Sequence, residues 1–368
     1  MAINLQFQRP ILDCMVGGVS ALDVKRLDVH TTAEARSFIL AYGYDLDAEH
    51  DREELWSTHR RAVALLKDQL LEVGEQIPQA LCDPAHLTDL GQLLLYASDR
   101  SPSGRELQRW SCAILRVMHV FVHLRNDLFS AFTDEIQNQI LKPLQDSIVS
   151  DPVAGSVVLA GSGALLESDG VRLHRFDIKP FKTTASSVIK LLARPERVAL
   201  TLLDKLGVRF VTRSVFDSFR VIRFLVERNI VSYPHIIPDQ SNNTLYPLNL
   251  FMEVMNELTG QEALTSAEVE ATLASRLSDS LHRAEFLTKA NEFSGSDYKF
   301  VKFINRKLIT VAIGQGDRLR PFRFFYPYEI QVMDYDTHVR NLSGPMAHDA
   351  YKNRQRLRAR ERVLREAE

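Results

Sequence analysis

Tyr326-Pro327-Tyr328-Glu329-Ile330-Gln331-Val332-Met333-Asp334 is the stretch from which the fold can be worked out. Its side chains alternate with the period of two that marks a strand. Ile330 and Val332 fall on one face, the core side. Glu329, Gln331 and Met333 fall on the other. A carboxylate on the open face of a central strand needs a partner: a cation, a water network or a metal ion. Working outward, Ala347-His348-Asp349-Ala350-Tyr351-Lys352 follows after a short loop, where a helix is due to begin. Upstream lie a lysine/serine cluster at 179–190 and the segment Asp204-Lys205-Leu206-Gly207-Val208-Arg209. The four pieces are expected to converge on one site.

The chain has 368 residues, of which 45% are apolar, enough for two domains with real cores. Its net charge of -2 hides an uneven distribution. Residues 1–150 carry 14 Lys/Arg against 21 Asp/Glu, and residues 170–230 carry 13 against 5. The basic stretch suggests an anionic ligand, a nucleotide or a nucleic acid. Cys14, Cys82 and Cys112 are odd in number and have no metal-type spacing, so a disulfide framework is not expected and a reducing, cytoplasmic setting is. No apolar run approaches the roughly 20 residues a membrane helix needs, and no membrane partner is expected.

From Thr32 to about Val149 the pattern is helical, with amphipathic segments at 33–41 and 52–73 and the most apolar one at 105–132. This reads as an all-helical N-terminal domain, 1–150. Inside it, His119, His123 and Asp127 fall at i, i+4 and i+8 on one helix face. On a packed helix such histidines are more often hydrogen-bonded than metal-bound. Ser150–Pro152 reads as a linker, and 164–176 as a hairpin around a Ser-Asp-Gly turn. Thr and Ser then cluster where a helix should start, with Lys182, Ser186 and Lys190 spaced four and four. Free N–H groups and the helix dipole attract anions there, so this end can cradle a polyphosphate. Leu206–Val211 reads as a buried strand with Asp204 at its mouth, and 216–229 as an amphipathic helix. Ile230–Tyr233 reads as a short strand, and 234–247 as a loop. Residues 248–290 read as a helical insertion whose Glu268 and Glu270 are solvated. Strands follow at 297–303, 308–313 and 322–333, then a charged helical tail, 356–368. The fold class is α+β: a mixed sheet of about five strands with flanking helices, behind the N-terminal helices.

Four of these motifs, in this order and spacing, resemble the RelA/SpoT synthetase domain of the (p)ppGpp synthetases over roughly residues 170–355. The lysine-serine-lysine series is matched by Lys182, Ser186 and Lys190. The Asp-Leu-Ile-Gly-Ile-Arg-like strand is matched by Asp204–Arg209, the Glu-Ile-Gln strand by Glu329–Gln331, and the Ala-His helix start by Ala347–Lys352. The resemblance implies a nucleotidyltransferase-like domain, 151–355, with 248–290 inserted. It implies transfer of the β,γ-diphosphate of ATP to the 3′-hydroxyl of a guanosine nucleotide, with Mg2+ as cofactor. Asp204 and Glu329 would be the metal-binding and catalytic carboxylates, and Glu329 could also take the hydroxyl proton. Lys182, Ser186, Lys190 and Arg209 would hold ATP phosphates. Tyr298, Lys302, Gln331 and His348 would meet the acceptor. The family's Gly-Tyr-x-Ser-x-His keeps only its tyrosine here, as Tyr298, its serine and histidine becoming Phe300 and Lys302. The arginine after Glu-Ile-Gln is Met333, and the one before the first phosphate lysine is Pro180. The ATP side is thus retained and the guanosine side altered, which leaves a tRNA end as an alternative acceptor. A catalytically silent nucleotide-binding module is the alternative of another class.

Overall fold

The computed structural model describes residues 12, 14–24, 27–83, 85–125, 130–151, 156–160, 170–179, 184–195, 199, 202–261, 264–288, 299–314, 319–342 and 348–365. By internal contacts the chain falls into two compact units. One comprises 1–128, 183–202 and 352–368; the other comprises 129–182 and 203–351.

The first unit is helical. It contains α1 (Thr32–Tyr42), α2 (Glu49–Leu65), α3 (Gly91–Ser98), α4 (Arg105–Arg125), α6 (Thr184–Leu192) and most of α11 (His348–Val363). A capping box starts α1: Thr31 accepts from Glu34 N, and the Glu34 carboxylate accepts from Thr31 N. The pattern read as one helix over 52–73 is α2 followed by a widened turn, Leu66–Leu70, which closes with Leu71 N bonded to Leu66 O. Along α4, Trp110, Ile114, Val117 and Phe121 are buried. The charged tail is held by ion pairs and backbone carbonyls of its own unit. Arg362 is buried and grips Asp23 with both arms, at 2.7 and 2.8 Å, while donating to the Leu191 and Leu192 carbonyls at the end of α6. Carbonyls at a helix end lack intrahelical donors, and the guanidinium supplies one here, beside the Arg194 N–H that also reaches Leu191 O at 3.3 Å. Arg360 pairs with Glu75 at 2.7 and 2.9 Å.

Among the described residues, the second unit is built on a sheet of seven strands, not five, in the order β1-β2-β3-β4-β7-β6-β5. The strands are β1 (Ile148–Asp151), β2 (Ser156–Leu159), β3 (Val171–Lys179), β4 (Gly207–Thr212), β5 (Asn242–Asn243), β6 (Val301–Ile313) and β7 (Arg320–Asp334). β4 and β7 are parallel; every other neighbouring pair is antiparallel. Three of the seven, β1, β2 and β5, were not anticipated, and β1 and β5 lie at the margins. The first arm of the hairpin read over 164–176 falls outside the described residues, and its second arm is part of β3. Residues read as the Ser150–Pro152 linker include the end of β1, and β5 falls inside the loop read over 234–247. Ile230 and Val231 are buried without forming the short strand expected there. The two strands read at 297–303 and 308–313 are one strand, β6, because polar Asn305 is buried and donates to the Tyr328 hydroxyl at 2.9 Å.

β4 sits inside the sheet, and Val208, Phe210 and Val211 are fully buried, as a strand covered on both faces requires. One face of the sheet is covered by α5 (Thr133–Asp146) and α7 (Val215–Glu227). Ile136, Leu144, Val208, Phe210, Val221, Leu225, Ile330 and Val332 form that core. The insertion forms α8 (Leu248–Leu258) and α9 (Ser266–Asp279), which pack on α7, with Phe219 and Phe251 stacked at 3.9 Å. Glu270 is not a solvated residue. Its carboxylate accepts from Val215 N and Phe216 N, at 3.1 and 2.8 Å, at the start of α7. Among the described residues, no helix is long and apolar enough to cross a membrane.

Candidate functional site

The strand register assembles the site. Opposed residues on neighbouring strands share a face. Lys179, Gly207, Glu329 and Ile304 form one row across β3, β4, β7 and β6. Asp177, Arg209, Gln331 and Lys302 form the next. Both rows lie on the face opposite the Ile330/Val332 core.

Glu329 is the centre. Its backbone N–H donates to Leu206 O, which holds the turn before β4 against β7. Its side chain is 10% exposed. Lys179 Nζ donates to Glu329 Oε1 at 2.7 Å, and Lys302 Nζ lies 3.7 Å from Oε2. Burial pushes the Glu329 pKa up, and the two lysines pull it down. Asp204, in the turn before β4, pushes it up again. The lysines win, and the carboxyl is held at about 2. Gln331 Oε1 accepts from Lys179 Nζ at 2.8 Å and from Arg209 Nε at 3.1 Å. The amide therefore couples the two rows.

Gly207 makes this possible. A Cβ there would lie 3.2 Å from both Cβ and O of Glu329 and 3.7 Å from Lys179 Cδ. Its bare backbone lets the Lys179 side chain cross β4 to the carboxylate. Beside this block, α10 (Tyr335–Leu342) brings buried His338 over the second row. Burial lowers the His338 pKa, and nearby Arg209 lowers it further while Asp177 opposes. The Tyr335 and His174 rings meet at 4.1 Å.

Of the residues anticipated from sequence, Glu329, Asp204, Arg209, Lys302 and Gln331 are brought together. Ser186, exposed, and Lys190, buried, lie on α6 in the first unit. Lys182 and Tyr298 fall outside the described residues, and His348 is placed as the first residue of α11. Lys179, which the sequence reading leaves without a role, is the closest cation to Glu329 among the described residues. Phe300 and Met333, the departures from the family pattern, are buried with Val211 in a small apolar cluster. In the first unit, His119 Nδ1 and the Tyr42 hydroxyl are hydrogen-bonded at 2.7 Å, and the His119 and His123 rings stand 4.4 Å apart. Asp127 lies outside the described residues. Among those described, no three His, Cys, Asp or Glu side chains are placed to hold a metal ion. The sheet face instead offers the carboxylates of Glu329, Asp204 and Asp177 among cations. That fits a hard divalent ion, which takes one or two protein carboxylates and completes its shell with water and substrate phosphate.

No protein-family model matches the chain, and no curated protein matches it. Among solved structures it is similar to a GTP pyrophosphokinase family protein from Streptococcus pneumoniae. The identity is 16% and the TM-score 0.23, over 52% of this chain and 70% of that one.

Proposed function

We propose that this sheet face binds a nucleoside triphosphate and catalyses diphosphate transfer from ATP to a nucleoside 3′-hydroxyl, a guanosine nucleotide being the first acceptor to test. One observation carries the reading. A carboxylate buried in a strand is held ionised by Lys179 and Lys302, with Arg209 in the adjoining row and Asp204 close by. The ordered motifs 204–209, 329–331 and 347–352 add support. The proposal for this face stands without Ser186 and Lys190, and Lys182, Tyr298 and His348 remain proposed contacts for phosphate and acceptor.

In the reaction, the 3′-oxygen attacks the β-phosphorus of ATP, the Pα–O–Pβ bridge breaks, and AMP leaves. Lys179, Lys302 and Arg209 neutralise the phosphate oxygens. Glu329 Oε2 accepts the hydroxyl proton. A carboxyl held at about 2 is a weak base, but entering phosphates compete for its lysines. Each lysine drawn away lets burial raise the Glu329 pKa toward the useful range. Asp204 and Glu329 would hold Mg2+, whose positive charge would offset that of the phosphates.

Incubation with Mg2+ and γ-labelled ATP, against GMP, GDP, GTP, ATP and bulk tRNA, tests this reading. Label on one acceptor, lost in Glu329→Gln, is the expected result. A second reading, a silent nucleotide-binding module, draws on the same ion pairs: both Glu329 oxygens face an ammonium group. Nucleotide binding without transfer to any acceptor would decide for it.

A further inference from the structure

The face that carries Glu329 continues past Pro327. There β6 and β7 run on as a ribbon, with Leu308 opposite Phe325 and Thr310 opposite Arg323. By strand parity Arg306, Leu308, Thr310, Arg323 and Phe325 share the side of Glu329, and all five are exposed. The other side of the ribbon, with Ile309, Val311, Phe322, Phe324 and Tyr326, is packed into the core. The open side is therefore not a solvated edge of ordinary composition.

Phe325 is 44% exposed. The Arg306 guanidinium stands 5.5 Å from its ring centroid, and the His235 ring meets it edge-on at 5.0 Å. Tyr233, in the same turn as His235, is 74% exposed. Residues 306–327 hold five Lys/Arg against one carboxylate, Asp317. Neither Arg306 nor Arg323 pairs with a carboxylate among the described residues. Exposed rings interleaved with unneutralised guanidinium groups match the two halves of a single-stranded nucleic acid, its base faces and its phosphates. An acidic peptide would use the charges but leave the rings idle.

We propose that the β6–β7 ribbon binds single-stranded RNA, with a base stacked on Phe325 and phosphates on Arg306 and Arg323. Phe325 precedes Glu329 by four residues, about 13 Å along a strand, so RNA lying on the ribbon can lead its end to the carboxylate. The choice of RNA rests on the ribose 3′-hydroxyl acceptor proposed above; binding by the ribbon does not.

The test is fluorescence anisotropy of the full chain with a labelled, unstructured RNA of about 20 nucleotides, over a range of salt. Phe325→Leu keeps an apolar side chain and removes the stacking ring. It should weaken binding roughly tenfold with an unchanged melting temperature. Arg306→Gln with Arg323→Gln should flatten the slope of log K against log salt by about 1.4. RNA binding that ignores both variants overturns the proposal. So does equal affinity for single-stranded DNA of the same sequence, or attachment to vesicles of anionic lipid in place of RNA. Label transfer to a mononucleotide without RNA binding sinks this inference and spares the enzyme. RNA binding that responds to the variants, without transfer to any acceptor, does the reverse.

Discussion

On one face of β7, Tyr328, Ile330 and Val332 are at most 1% exposed and pack with Val208 and Phe210. On the other, Glu329 and Gln331 are 8% and 3% exposed and meet Lys179, Lys302 and Arg209. Burial is nearly the same; the chemistry is opposite. Apolar side chains on the first face gain free energy by leaving water. Charges on the second face lose hydration, which ion pairing and hydrogen bonds only offset. A buried ion pair is weak evidence for stability, and well-packed apolar residues often do as well or better. On the reading proposed above, the two lysines, the arginine and the carboxylates of this face are kept there to meet a ligand.

That difference can be broken by substitution. The largest effect belongs to the core face. Phe210→Ala should destabilise the second unit by about 3–5 kcal/mol, read from its urea transition, because a fully buried ring leaves a cavity. Lys179→Met comes next, at about 1–3 kcal/mol, reduced because the lysine is 32% exposed. Among the described residues, it leaves Glu329 with the Lys302 ammonium at 3.7 Å. Adding Glu329→Gln should return part of that loss, since the stranded charge is gone. If the pair of changes is additive, the two residues are not coupled and the open face is ordinary surface.

Gly207→Ala should cost about 1 kcal/mol or somewhat more, because its Cβ must displace Glu329 at 3.2 Å. It should also separate Lys179 from Glu329, visible as a rise of the Glu329 pKa in a carboxyl NMR titration. A change of pH tests the same comparison without substitution. Glu329 is depressed to about 2 from an unfolded value of about 4.3. Its stabilisation is complete above about pH 4.3 and drains as pH falls through the folded value. In the first unit, burial and then His123 depress His119 to about 4 from about 6.5. That unit should lose stability earlier, as pH falls from about 6.5 toward 4, and His119→Asn should remove the loss. Melting curves across pH would separate the two windows.

The core face of β7 was legible because alternation needs only local pattern, and β4 was legible as a continuous apolar run. So was the meeting of the Asp204–Arg209 and Glu329–Gln331 segments, whose strands lie side by side. Lys179 lies beyond the hairpin read to 176, and a bulge in β3 sets the face it takes. In β3, Val171 and Leu173 point inward, but the register shifts between Leu173 and Arg175, after which Phe176 and Ile178 point inward. Simple alternation puts Lys179 with Leu173, on the wrong face; the extra residue turns it to the site. Asn305 and Glu270 were misread for another reason. Each is polar in a polar stretch, and only the fold supplies the Tyr328 hydroxyl or the start of α7 as its partner. The outer strands β1 and β5 are short, four and two residues, and carry too little pattern to be seen.

The most direct measurement is titration calorimetry of Mg·ATP into the full chain, in the native form and in Lys179→Met with Lys302→Met. Saturable binding that the double substitution abolishes, while the fold survives by circular dichroism, is the predicted result. Absence of binding to the native chain, or binding untouched by loss of both lysines, would contradict the open face of β7 as a nucleotide site.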